Sequence, residues 1–277
     1  MPAPHDHTQL PLGKPARHSR TYHPGHLCPV PRAEGRAAEG LNAERFSKCF
    51  GEDLWNLYEL AWLDDSGKPD IAMAELRVSM QSPNLIESKS LKLYLNSLNM
   101  TVFSDATAVH NTLVQDLSTA AGAPVEVRLI PPDRFGSTVL KEPTGVCIDD
   151  QIIAAPEADL NPAALNIGGM NIRETLFTRL FRSVCPVTGQ PDFATISITY
   201  QGRRLDPASL LRYLVSFREH AGFHEACVER IFCDILDRCG PEDLTVSARF
   251  TRRGGIDINP WRATVDTAMP NQRDTRQ

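Results

Sequence analysis

Apolar residues recur along this chain with two periods, and the same order of periods occurs twice. Ala74, Leu76, Val78 and Met80 alternate with polar neighbours, the signature of a half-buried strand. A helical segment is predicted next, over about 90–100. A second is predicted over 106–121, where Val109, Leu113, Leu117 and Ala120 share one face. Asp105 suits its N-cap and Gly122 its C-terminal stop. Val125, Val127 and Leu129 then alternate again, ahead of the turn at Pro131-Pro132.

The second half repeats this order. Ile196, Ile198 and Tyr200 read as a strand. Asp206-Pro207 opens a helix whose stripe is Leu210, Leu211, Leu214 and Val215, and Gly222 breaks it. A further helix is predicted over 224–239, burying Cys227, Val228, Ile231, Phe232, Ile235 and Leu236. Gly240-Pro241 ends it, and Leu244, Val246, Ala248 and Phe250 form the closing strand. Earlier strands are expected at 54–63 and 175–184, and the irregular stretch from Pro131 to about Gly169 reads as a connection. Residues 1–40 show neither period and read as an N-terminal arm, and the polar stretch from Ala263 to Gln277 reads as frayed. The expected division is therefore an arm over 1–40 and two α+β domains over 41–150 and 151–277, each a sheet with helices on one face. A duplicated unit with different polar residues in its halves suggests a shared site.

Composition narrows the function classes. The chain has 277 residues, 42% of them hydrophobic, enough for two cores. A net charge of −5 argues against the broad basic face that direct nucleic-acid binding needs. No run approaches the roughly 18 apolar residues of a membrane span, and the N-terminus lacks the apolar core of a signal peptide. Seven cysteines with no C-x-x-C pair fit free thiols in a reducing cytoplasm, the expected location.

Most of those thiols carry little information. Cys227, Cys233 and Cys239 lie in the last predicted helix, Cys28 in the arm and Cys49 in a short polar connection. Cys147 stands in a Gly-Val-Cys-Ile-Asp-Asp stretch with no nearby histidine. Cys185 differs: it ends an apolar run and opens the turn-forming stretch Pro186-Val187-Thr188-Gly189-Gln190-Pro191-Asp192. A loop at a strand end is where reactive groups are presented, and Asp192 returns a carboxyl group toward the loop's start. His224-Glu225 opens the last helix. Glu225 there suits the helix dipole, or offers two oxygens to a guanine-like N–H edge. The H-E-x-x-H zinc pattern is absent, so no metal is expected. Glu87-Ser88-Lys89-Ser90 precedes a helix, and Arg252-Arg253-Gly254-Gly255 follows the last strand. Both suit phosphate contacts or a solvated, capped helix start and a tight turn. No GxGxxG fingerprint is present.

Taken in order, Glu87 to Tyr94, Cys185 with Gln190-Pro191-Asp192, Phe223-His224-Glu225 and Arg253-Gly254-Gly255-Ile256-Asp257-Ile258-Asn259-Pro260 resemble the NADPH-dependent 7-cyano-7-deazaguanine reductases of queuosine biosynthesis, in their long, tandem form. The likeness runs from about Leu12-Gly13-Lys14 to Trp261-Arg262. It implies two tunnel-fold domains with antiparallel sheets, a small 7-deazaguanine substrate, two NADPH per turnover, no metal and a homodimer. It assigns Cys185 as nucleophile and Asp192 as proton donor. His224, Glu225, Ile86, Glu87 and Ser88 would bind the ring, and Ser88, Lys89, Arg253 and Gly254 would contact NADPH. Pro186, directly after the cysteine, departs from the long form and resembles the short one. The alternatives are a cyclohydrolase or epimerase of the same fold acting on a pterin or purine, and a purine-binding protein without catalysis.

Overall fold

The computed structural model describes residues 21–137, 140–153 and 159–277. The expected arm up to residue 20 lies outside them. They group into two compact α+β units, each discontinuous in sequence. The first holds the chain up to Ala38, Asp53–Val139 and Arg252–Asp257; the second holds Glu39–Glu52, Leu140–Thr251 and Ile258–Gln277. Residues 252–257 thus return to the first unit from near the far end of the sequence.

The first unit contains β1 (Pro29–Pro31), α1 (Arg32–Ala38), most of β2 (Phe50–Leu63), β3 (Pro69–Ser79), β4 (Asn84–Ile86), α2 (Ser88–Leu98), α3 (Ala106–Ala121) and β5 (Val125–Ile130). β3 lies between β2 and β5 and pairs antiparallel with β5, Leu76 opposite Val127. The inward positions of β3 and its end, Ala74, Leu76, Val78 and Met80, are all buried. α3 packs Val109, Leu113 and Leu117 inward, as its period predicts. The Asp105 carboxylate accepts from the Ala108 N–H at 2.8 Å, and Gly122 ends the helix in the left-handed region at φ 71°.

The described part of the expected arm is built into the first unit. β1 pairs antiparallel with β4. Arg32, only 4% exposed, forms an ion pair with Asp53 and donates to the Ser82 hydroxyl at 3.0 Å. Buried Arg36 donates to the Met80 carbonyl. The segment contributes guanidinium groups rather than apolar side chains to the interior, so it carries no hydrophobic period.

The second unit contains β6 (Val146–Cys147), β7 (Ile167–Val184), β8 (Pro191–Leu205), α4 (Pro207–Val215), α5 (His224–Cys239), β9 (Asp243–Phe250) and most of β10 (Ile256–Ala263). The order β10-β9-β8-β7-β6 is antiparallel except for the short parallel pair β6–β7. The Asp206 carboxylate caps α4, and α5 spans the predicted residues and packs against β9. β9 is not the closing strand. β10 follows it and is buried at all eight positions. Burial on both faces removes the alternation by which a strand is recognised, and Pro260 interrupts the run. Its Arg262, with no exposed surface, bonds Glu229 at 3.0 Å. Nor are the last residues frayed: Asp274 is 3% exposed, and the Gln277 side chain bonds the Phe250 carbonyl. No helix among the described residues is long and apolar enough to cross a membrane.

Candidate active site

In the second unit, Cys185 sits in a tight hairpin rather than a loose loop. Val184 pairs with Pro191 and Ser183 with Asp192. The Cys185 N–H donates to the Gln190 carbonyl at 2.8 Å, and the Gly189 N–H donates to the Cys185 carbonyl at 3.0 Å. Gly189 takes φ +67°, which the closure requires. Side chains alternate along paired strands, so Ser183, Cys185, Asp192 and Ala194 share one face. All four are buried, Cys185 at 4% exposure and Asp192 at 8%. Cys185 and Asp192 are diagonal neighbours across the hairpin, a separation of about 7–8 Å between Cα atoms.

The same strand end recruits α5. The Val184 N–H donates to the His220 carbonyl at 2.9 Å, and the Gly222 N–H donates to the Val184 carbonyl at 3.1 Å. This bridge sets the start of α5 beside the hairpin. His224 Nε2 lies 3.3 Å from Asp192 Oδ2, close enough to share a proton. The imidazole stacks on the Phe250 ring, centroids 3.8 Å apart and planes 13° from parallel. Its Nδ1 is buried without a hydrogen-bond partner among the described residues. Glu225, 5% exposed, stands in the first turn of α5, where the helix N-terminus favours its charge.

Cys227 lies one turn further along α5. Burial pushes its thiol well up, and Glu39, Asp192 and Glu225 push it further, so it stays protonated at neutral pH. Phe250 and Glu39 carried no signal as site residues in the sequence: one is the last apolar position of a strand, the other a charge in a polar stretch.

In the first unit, Ile86 is buried at the end of β4 and Glu87 caps α2. The Glu87 carboxylate accepts from the Lys89 N–H at 2.8 Å and the Ser90 N–H at 2.7 Å. Burial raises the Glu87 carboxyl above its usual range, opposed by those two N–H groups and the Ser88 hydroxyl. Its own N–H donates to the Cys28 carbonyl at 3.0 Å, so the β1 segment helps hold it. Ser88 and Lys89 form the first turn of α2 and are half-buried.

Arg253 and Gly254 lie in a two-residue hairpin. Arg253 bridges Ile256, and both central residues have positive φ, +64° at Gly254 and +79° at Gly255, the pattern of a type I′ turn. Nothing lies within 4 Å of the position a Gly254 Cβ would take, whereas at Gly255 it would meet the Glu59 carboxyl at 2.3–2.6 Å. Glu59 in turn pairs with Lys92 of α2, so the two segments named for phosphate contact converge on one carboxylate. The hairpin is held from below: Asp257 accepts from Asn56 at 2.8 Å and from the Tyr58 hydroxyl at 2.5 Å, and the Gly255 carbonyl accepts from the Tyr58 N–H. Among the described residues no group of three or more His, Cys, Asp or Glu could hold a metal ion.

Comparison with known proteins covers nearly the whole chain. A family described as nitrile reductase, 7-cyano-7-deazaguanine-reductase N-term, matches residues 18–129, and one described as QueF-like protein matches residues 191–269. The NADPH-dependent 7-cyano-7-deazaguanine reductase of Desulfotalea psychrophila is 51% identical over 97% of both chains. The protein of the same name from Bordetella avium is 50% identical over 98% of this chain and 99% of its own. A solved archaeosine synthase QueF-Like, in the apo form, covers 36% of this chain at 16% identity and TM-score 0.31, too slight a likeness to bear on the fold. Half identity along nearly the full length of both partners decides the matter: the chain belongs to the NADPH-dependent 7-cyano-7-deazaguanine reductase family.

Proposed function

We propose that this protein reduces the nitrile of 7-cyano-7-deazaguanine to the aminomethyl group, with electrons from NADPH, through a covalent bond to Cys185, as a step in making the queuosine of tRNA. The observation that carries the reading is the gathering of Cys185, Asp192 and His224 at one strand end, joined by the Val184 bridge. A nitrile carbon is electrophilic but a poor hydride acceptor. The Cys185 sulfur adds to that carbon, and one C≡N π bond breaks. The nascent nitrogen takes a proton from Asp192, which the departing thiol proton replenishes, giving a thioimide with no external proton consumed. Low exposure favours this chemistry, because water that would hydrolyse a thioimide is kept out. His224, held at Asp192, is assigned to the substrate, and Glu225 offers a carboxylate to the ring's N–H edge. Ile86, Glu87 and Ser88 are assigned to the ring as well; Glu87 Oε2 keeps a lone pair beyond its bond from the Ser90 N–H.

When bound, NADPH supplies hydride, two equivalents for the four-electron change. The residues present fit it: Gly254 leaves open space at a turn, Arg253 beside it is exposed, and Ser88 and Lys89 stand at a helix N-terminus. The reading carries a homodimer with it, which light scattering checks.

Incubation with 7-cyano-7-deazaguanine alone tests the proposal. A mass increment equal to the substrate is expected on wild-type protein and not on Cys185→Ala. An unmodified wild type would end the reading. Consumption of two NADPH per nitrile is expected; one would mean release of an imine.

A further inference from the structure

The last residues of the chain return to the floor of the candidate site. Gln277 Nε2 donates to the Phe250 carbonyl at 2.9 Å and to Asn259 Oδ1 at 2.6 Å. Gln277 Oε1 accepts from the Asp274 N–H at 3.0 Å. One backbone acceptor and one backbone donor therefore fix which way the amide points, since a flip would oppose like groups at both. The segment is held independently: the Gln277 N–H donates to the Asp274 carbonyl, and the Lys141 N–H to the Arg273 carbonyl. Asn259 and Asp274 are buried at 2% and 3% exposure.

Phe250 is the residue on which His224 stacks, and it is the last of β9, where pairing with β8 ends at Ala194. Its carbonyl is thus held by a side chain 27 residues away. We propose that Gln277 is a positioning residue: by fixing the end of β9 it holds the Phe250 ring beneath His224, and so holds Nε2 of that imidazole on Asp192.

The inference rests on the proposed reaction only for its kinetic arm. Gln277→Met keeps the length of the side chain and removes both donors, and Gln277→Ala removes the side chain outright. In histidine-labelled protein, with His224 assigned from a His224→Ala spectrum, both variants are expected to shift the His224 ring resonances and leave those of His110 unmoved. Phe250→Leu is expected to shift the same resonances, and adding Gln277→Met to it should shift them no further. Steady-state kinetics of Gln277→Met are expected to show kcat lowered about tenfold, roughly 1.4 kcal/mol, with KM for NADPH unchanged. A melting temperature near that of the wild type separates this from general loosening. His224 resonances unmoved in both Gln277 variants would overturn the inference, and they decide it even if no Cys185 adduct forms. If the adduct forms and kcat is unchanged, it is overturned as well.

Discussion

Replacing Gly255 with alanine tests whether the Arg253–Ile256 hairpin is built by backbone conformation or by room for a close neighbour. At φ +79° an L-residue costs about 1–2 kcal/mol relative to glycine. The added Cβ also falls 2.3–2.6 Å from the Glu59 carboxyl. That carboxyl ends a flexible side chain, so it moves and gives up its pair with Lys92. The Glu59 side chain is 60% exposed and that of Lys92 22%, so the loss is worth about 0–1 kcal/mol. Conformation therefore outweighs the clash, and Gly255→Ala should cost about 1–3 kcal/mol. Gly254→Ala meets nothing within 4 Å and should show the conformational cost alone, while Gly254→Asn should cost only a few tenths, because Asn-Gly suits a type I′ turn. Urea midpoints at constant slope measure all three. Glu59→Ala with Gly255→Ala should recover the smaller part only. Full recovery in that double variant, or a Gly255→Ala protein as stable as wild type, would refute the reasoning. On the proposed function, Gly255→Ala should also raise the KM for NADPH while the Cys185 adduct still forms.

Arg32→Ala leaves Asp53 buried without its cation and should lower stability by about 3–5 kcal/mol, read from chemical unfolding; a loss under 1 kcal/mol would return the segment to the status of an arm. Burial pushes the Cys233 and Cys239 thiols up to about 12 and about 11, so both stay protonated at pH 8. Exposed Cys147 should then be the first of the three alkylated by iodoacetamide, with Cys233 and Cys239 gaining reactivity only as pH climbs; peptide mass mapping reads the order, and early labelling of Cys239 would contradict it. Asp192→Asn should slow adduct formation at least tenfold in a stopped-flow absorbance trace, and an unchanged rate would remove it as proton donor.

The parts of this fold legible in the sequence are those whose burial is one-sided and whose ends are marked locally. α3 meets both conditions: an apolar stripe, an aspartate cap and a left-handed glycine stop. β10 meets neither, being buried at every position with a proline inside it, and the segment around Arg32 fails because its interior contribution is charged. The candidate site divides in the same way. Cys185, His224 and Glu225 stand at the ends of elements whose periods are clear, so their places in the chain could be read.

What could not be read is what joins them. Val184 bonds His220 and Gly222 across 36 and 38 positions of sequence, through backbone groups that every residue type possesses. Such bonds leave no trace in composition or period, yet this one holds the residues that lead into α5 beside the hairpin, where His224 meets Asp192. Cys185 itself shows the limit most directly. Its turn-forming neighbours suggest an exposed loop, and loops are where thiols react. Instead the Cys185 N–H bonds the Gln190 carbonyl directly beyond the last strand pair, Val184 with Pro191, and the residue is buried as Asp192 is. On the proposed function, a thiol on a mobile loop would have to find its acid anew at each turnover, whereas one fixed in the hairpin has Asp192 across it.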